Sequence, residues 1–151
     1  MIVYRFASEP YKDDISGNGA AIFGGRWNSK GNPVVYTSNH ISLSVLELLV
    51  HNTNLSSFKN PWLIFISIPD NVTPMDIYSA ELANGWNTNA GYTRKMGDQF
   101  LTERHSVALR VPSSIILQES NVLINPLHRD FKKITIVNSV LFDLDKRLLS
   151  L

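Results

Sequence analysis

The sequence predicts one α+β domain over residues 1–151, built around a mixed or largely antiparallel sheet. Three observations lead there. Short runs rich in β-branched and aromatic residues recur along the chain. Few segments are long and apolar enough for helices, so strands and helices do not alternate as in a parallel α/β sheet. The composition, 44% hydrophobic and 18% charged in 151 residues, suits one buried core and leaves little room for disorder.

The elements follow in order. "IVYRF" at 2–6 reads as a strand with Arg5 on one face, and "PVVYTS" at 33–38 reads the same way. Between them Gly17, Gly19, Gly24, Gly25 and the "SKGNP" turn predict a loop-rich segment, compatible with a hairpin, whose backbone can approach a ligand closely. Residues 39–52, "NHISLSVLELLVHN", predict a helix capped by Ser38 or Asn39. "WLIFISIP" is a buried strand closed by Pro69. A loop then runs to about Thr93, where the helix "TRKMGDQFLTER" begins. Short strands are expected at "VALRVP", "SIILQ", "NVLIN" and "KITIVNS". No repeat, low-complexity tract or linker stands out.

Charge and composition exclude several function classes. Fourteen basic against thirteen acidic side chains give a net charge of +1, no general field for a polyanion, so direct nucleic acid binding is not expected. With no cysteine there is no disulfide framework, thiolate cluster or thiol nucleophile. The start lacks a signal-like apolar stretch, and the longest apolar run is too short to span a bilayer. The expectation is a soluble cytoplasmic protein. The histidines at 40, 51, 105 and 128 form no zinc-ligand pattern, so no metal is expected. Ser113 and Ser114 in "VPSS" lack the nucleophile-elbow glycines of a serine hydrolase.

The remaining polar residues carry the functional reading. On a helical wheel Ser44, Glu47 and His51 share one side, opposite Val45 and Leu49. A solvent-exposed strip and the wall of a polar cleft both fit this pattern. In a cleft the carboxylate needs a partner, for which Arg26 and Arg5 are candidates. Arg26 and Trp27 follow a glycine pair that permits close approach of an anionic group, and guanidinium matches phosphate oxygens two at a time. Tyr36 fits a core position or a pocket wall beside Glu47. Asn125, before Pro126, fits a turn cap or a ligand contact.

Taken in order, "YRF", "GGRWNSKGNPVVYTS", "LSVLELLVH", "VPSS" and "ESNVLINPLHRDF" closely resemble the RES-domain family, named for its arginine, glutamate and serine. The resemblance runs from about Tyr4 to Leu149. It implies a compact relative of the ADP-ribosyltransferase fold, and a toxin of a bacterial toxin–antitoxin pair that breaks down NAD. It makes Arg26, Glu47 and Ser113 the naming positions and Tyr36 a further pocket residue, these four forming the expected catalytic set. Arg5, Arg26, Trp27, Tyr36, Ser113 and Asn125 are the expected NAD contacts, Arg5 and Asn125 ranking second. At Phe100 relatives commonly carry tryptophan, so altered packing is expected there. The implied partner is an Xre-type helix-turn-helix antitoxin, which would make any DNA contact. No cofactor is implied beyond NAD as substrate, with inorganic phosphate as a candidate co-substrate. Transfer of ADP-ribose to a protein, or an inactive partner-binding module, are the alternatives.

That reading gives each residue a task. Nicotinamide leaves NAD as a neutral amine and needs no general acid, so one carboxylate, Glu47, can serve by stabilising the positive charge that grows on the ribose. Arg26 would hold the pyrophosphate. Tyr36 would pack on nicotinamide or ribose, and Ser113 would hydrogen-bond the nicotinamide ribose or an incoming nucleophile.

Overall fold

A computed structural model describes residues 1–51 and 60–150. Among these, strands β1 (Ile2–Ala7), β2 (Val35–Ser38), β3 (Trp62–Ser67), β4 (Met75–Asp76), β5 (Ala108–Pro112), β6 (Ser120–Ile124) and β7 (Thr135–Leu141) form one sheet in the order β4-β5-β6-β2-β1-β3-β7. Every neighbouring pair is antiparallel except β4 and β5. The helices are α1 (Asn18–Phe23), α2 (Ile41–His51) and α3 (Ala90–Glu103). The mixed, largely antiparallel sheet is the architecture expected from the sequence.

The central strands read as nearly continuous apolar runs because both their faces are buried. Val35, Ala108, Val122 and Ile124 join Val3, Ile64 and Ile66 in one core. Leu109, Val111 and Leu123, pointing the other way by the two-residue period, join Trp27, Trp86, Phe100 and Leu101 in a second core. Phe100, at the place of the expected tryptophan, is buried there. β1 and β2 are in register at a single pair, Tyr4 with Ser38, whereas β1 pairs with β3 along its whole length. The sheet therefore opens beside that one contact, where α2 lies against both strands.

Several boundaries differ from the sequence reading. The glycine-rich segment holds the short helix α1 and no hairpin: Gly24 N–H donates to Ala20 C=O and Gly31 N–H to Ala21 C=O, so the chain folds back on a helix end. Residues 114–118, "SIILQ", form turns rather than a strand, with the Ile115 and Ile116 N–H groups donating to the Ser113 hydroxyl. The loop before α3 contains β4 and two short 3-10 turns. α3 starts before Thr93, capped by Asn89, whose side chain accepts the Tyr92 N–H at 3.1 Å. The expected α2 helix reached to 52, and that last residue lies outside the described residues.

One side of α3 grips the segment that carries Arg26. Thr93 donates its hydroxyl proton to the Arg26 carbonyl at 2.9 Å, and Arg94 Nε donates to the Gly25 carbonyl at 3.2 Å. One turn on, the Asp98 carboxylate accepts from Ser29 N–H at 2.8 Å, Ser29 hydroxyl at 2.5 Å and Asn32 Nδ2 at 2.7 Å. Burial would raise the Asp98 pKa, but these hydrogen bonds outweigh it and hold the carboxyl below its ordinary value. Gly97 sits between, so close that a Cβ would lie 1.8 Å from the Trp27 carbonyl oxygen. Replacing an interior helical glycine by alanine ordinarily gains about 1 kcal/mol of helix propensity. Here the sign reverses. Gly97→Ala must push α3 off the Arg26 segment, and we expect a loss on the order of 1–3 kcal/mol, read as a melting temperature lowered by several degrees in a thermal unfolding scan.

Candidate active site

The opening between β1 and β2 is a cavity of about 400 Å³, within the range of small-molecule sites. Its wall includes Arg5 from β1, Arg26 after α1, Tyr36 from β2, Glu47 and His51 from α2, and Asn121 from β6. Residues far apart in the chain thus meet around one space.

Glu47 is at its centre electrostatically. Its Oε1 accepts from Asn121 Nδ2 at 2.5 Å and from Ser113 Oγ at 3.2 Å, and its Oε2 lies 3.2 Å from His51 Nε2. Burial pushes its pKa up, but the bonds from His51, Asn121 and Ser113 and the charge of His51 outweigh this, so the carboxyl stays below its usual range. His51 is shifted the opposite way, raised chiefly by its hydrogen bond to Glu47. The side chain of Glu47 is only 20% exposed. α2 therefore presents a cleft wall and not a solvent strip. Its partners also differ from those expected: among the described residues neither Arg26 nor Arg5 is ion-paired with Glu47.

Both arginines line the cavity, and neither is in a salt bridge among the described residues. Nη1 of Arg26 is buried and has no hydrogen-bond partner among the described residues. Arg5 donates from Nη1 to the Asp14 carbonyl at 2.9 Å, and burial lowers its pKa while the Asp14 charge opposes the shift. A desolvated donor without an acceptor is costly in any protein.

Tyr36 lines the cavity, with its hydroxyl tied back into the Arg26 segment. That oxygen accepts the Trp27 N–H at 2.9 Å and donates to Asn28 Oδ1 at 2.8 Å. Asn28 is fully buried and spends its amide on the Ala20, Ser29 and Asn32 carbonyls. A Cβ on Gly25 would lie 2.6 Å from the Tyr36 hydroxyl and 2.8 Å from Asn28 Oδ1, which explains the second glycine of the pair. Burial pushes the Tyr36 pKa up to about 12, so the phenol keeps its proton at neutral pH and is no general base.

Three expected contacts are placed differently by the fold. Trp27 borders the cavity, but at 2% exposure its ring is core, tilted against Trp86 at 6.3 Å between centroids. Ser113 is fully buried and stands behind Glu47: its hydroxyl accepts from two backbone N–H groups and donates a hydrogen bond to the carboxylate. Asn125 does not line the cavity. It is buried at the other end of β6, donating to the Leu101 carbonyl at 3.0 Å and accepting from Leu127 N–H at 3.0 Å, which is the turn-cap alternative. The asparagine that reaches Glu47 is Asn121, which sequence reasoning missed. Its only signal is a polar residue at the start of an apolar strand, which reads equally well as the end of a turn. The described residues contain no group of three or more His, Cys, Asp or Glu side chains arranged to hold a metal.

Comparison with known proteins now identifies the family. The model of the RES domain matches residues 2–145. A protein called Toxin Res from Photorhabdus laumondii is 38% identical over 153 residues, covering 98% of this chain and 97% of that protein. A Toxin Res from Yersinia enterocolitica is 32% identical over 152 residues, covering 98% and 99%. A Sphingobium protein called Prs ADP-ribosylating toxin is 38% identical over 130 residues, covering 81% and 78%. Among solved structures, a chain of the Mycobacterium tuberculosis MbcT–MbcA toxin–antitoxin complex superposes with a TM-score of 0.77 over 93% of this chain and 83% of that one, at 18% identity. The fold is that of an ADP-ribosyltransferase-like α+β domain. The protein belongs to the RES-domain family of toxins.

Proposed function

We propose that this protein cleaves the bond between nicotinamide and ribose in NAD, with water or inorganic phosphate as acceptor, and so arrests growth by depleting a shared cofactor. The observation that carries this reading is one cavity holding a fixed anion and two guanidinium groups that do not pair with it. NAD has the complementary pattern: a cationic pyridinium at one end and an anionic pyrophosphate further along. With water the products are ADP-ribose, nicotinamide and a proton; with phosphate, ADP-ribose carrying the phosphate on its anomeric carbon, and nicotinamide.

In this reading Glu47 faces the ribose and stabilises the oxocarbenium-like transition state. Arg26, with Nη1 free, takes the pyrophosphate, assisted by Arg5. The Tyr36 ring forms a wall for nicotinamide or ribose. Ser113 and Asn121 act through Glu47, holding its Oε1 so that the charge is in place before substrate arrives. A second reading, transfer of ADP-ribose to a protein, is favoured by the name of the Sphingobium relative and uses the same NAD-binding residues. By analogy with the solved toxin–antitoxin complex, the protein has a cognate antitoxin, which we take to be of the Xre type. Incubating purified protein with NAD, with and without phosphate and with a cell extract, separates the readings. Release of nicotinamide without labelled protein supports cleavage, and label retained on protein supports transfer.

Glu47→Gln keeps the acceptor oxygen for Asn121 and Ser113 but deletes the charge. Nicotinamide release should fall by on the order of a hundredfold or more, as when other preorganised electrostatic groups are removed. The melting temperature on the same preparation should show a folded protein. A folded variant working at the wild-type rate would remove Glu47 from the mechanism.

Arg26→Lys retains charge but loses the planar two-point contact. Its main effect should be a raised KM for NAD, equivalent to about 1.5–3 kcal/mol of binding. An unchanged KM assigns the pyrophosphate elsewhere.

The pH dependence follows from the opposite shifts of Glu47 and His51. A lowered Glu47 pKa gives stability that is complete above its ordinary value of 4.5 and is lost as pH falls through the still lower folded value. A raised His51 pKa gives stability that is complete below 6.5 and is lost as pH rises through the folded value. The pair is thus worth most between those two values. Catalysis needs only the Glu47 charge. In phosphate-free buffer, nicotinamide release should hold steady as pH rises above 6.5 and through the raised folded value at which His51 deprotonates, and decline only in acid. A rate that drops across the His51 titration would make its proton part of the reaction.

A further inference from the structure

The hydrogen bonds that hold Glu47 do not end at Asn121. Ser38, the last residue of β2, donates from its hydroxyl to Asn121 Oδ1 at 2.7 Å, and Asn121 Nδ2 donates to Glu47 Oε1 at 2.5 Å. The first contact forms because Ser38 and Asn121 are directly opposed in the β2–β6 register, where paired side chains project from one face. On its other side Ser38 is paired with Tyr4, the single registered contact between β1 and β2, so it stands where the sheet opens. It lines the cavity and is 3% exposed. Expected as one of two candidate caps of α2, Ser38 spends its hydroxyl across the sheet instead.

An asparagine amide has a donor end and an acceptor end, and an ionised carboxylate accepts only the donor. With Nδ2 toward Glu47 the contact is attractive; turned over, Oδ1 would face the negative charge. Glu47 selects the donor end, but that choice leaves Oδ1 in a half-buried place where it needs a donor of its own. Ser38 is that donor, and Oδ1 has no other among the described residues. The charged groups around Glu47 do not do this work. His51 lies against Oε2 at 3.2 Å, on the other oxygen, and Arg26 and Arg5 line the cavity without an ion pair to the carboxylate.

We propose that Ser38 is a positioning residue: it locks the Asn121 amide with Nδ2 inward and so fixes the orientation of the Glu47 carboxylate. Without the Ser38 hydroxyl, Oδ1 loses its donor, the amide is free to rotate, and Glu47 loses the shortest of the bonds that hold it. The consequence for catalysis rests on the NAD reading. The hold of Ser38 on Glu47 does not.

The test compares Ser38→Ala with Thr37→Val. Thr37 is the neighbouring residue of β2, also 3% exposed, and its hydroxyl donates to the Val122 carbonyl at 2.7 Å. Each variant loses one buried hydroxyl, but only Ser38→Ala loses the link to Glu47. The first readout is the titration of the Glu47 carboxyl in the free protein, followed by heteronuclear NMR and assigned with Glu47→Gln. His51, with its raised pKa, stays protonated through the acid range, and Arg26 and Arg5 stay cationic, so their influence is the same in every variant. In Ser38→Ala, Glu47 should titrate at higher pH than in the wild type, toward its ordinary value of 4.5, because the bond from Asn121 that lowers it is loosened. In Thr37→Val it should titrate as in the wild type. The second readout is nicotinamide release at neutral pH, where kcat should fall about tenfold in Ser38→Ala with KM little changed, a smaller loss than that expected for Glu47→Gln. An unmoved Glu47 titration in Ser38→Ala, an equal movement in Thr37→Val, or a wild-type kcat in Ser38→Ala overturns the proposal. A wild-type protein that leaves NAD intact counts instead against the cleavage reading, and the titration then decides the role of Ser38 alone.

Discussion

The carboxylate of Asp98 holds in place the segment on which the candidate active site depends. A loop of glycine, asparagine and serine does not keep a half-buried arginine in place by itself, because its ordering entropy is large and it has little side chain to pack. Asp98 supplies three hydrogen bonds to two residues of that loop, and Thr93 and Arg94 fix the two carbonyls before it. Asn28 closes the loop from inside, and the Tyr36 hydroxyl ties it to β2. Arg26 can then present an unpartnered Nη1 without the chain relaxing to satisfy it. The cost of one unsatisfied donor is offset by a rigid surround.

Glu47 is held by two neutral groups, Asn121 and Ser113, as well as by His51, and by neither arginine. Had Arg26 or Arg5 paired with it, the cavity would contain a closed ion pair, and substrate would have to break that pair before either charge could act. Asn121 and Ser113 instead satisfy one oxygen by hydrogen bonding while leaving the negative charge intact. Among the described residues the ion-pairing partner of Glu47 is His51, a titrating group at the edge, with a side chain 65% exposed, where solvent screens it. A preorganised anion in a partly dry cavity is worth more to a developing cation than the same anion in water.

How much of this was legible in the sequence depended on whether a feature is local. β1, β2, β3, β5 and β6 follow from β-branched and aromatic runs, and α2 from an apolar stretch of helical length. The segment "SIILQ" has the same composition yet makes turns, because Ser113 captures the N–H groups of Ile115 and Ile116 for its own hydroxyl. α1 was hidden by glycines, which lower helix propensity but here serve its ends. The cleft itself depends on β1 and β2 meeting at one residue pair, a long-range fact that no window of sequence contains. Arg26, Tyr36 and Glu47 could be chosen by residue type and order. Which groups satisfy Glu47 could not, since Asn121 lies far along the chain on a strand whose register sets the contact.

β6 shows how little separates a cavity residue from a structural one. Asn121 and Asn125 lie four positions apart on or next to the same strand, so by the two-residue period both belong to one face. Along an extended strand that spacing is roughly 13 Å. At the first position β2 is the neighbour and the sheet is about to open, so the amide meets Glu47. At the second the strand has ended, and the amide meets the last turns of α3 and the start of the next turn. Identical side chains thus orient a charge at one end and fasten a helix to a loop at the other. What decides between them is the neighbour that topology supplies, and in this fold the topology puts the gap between strands beside Asn121.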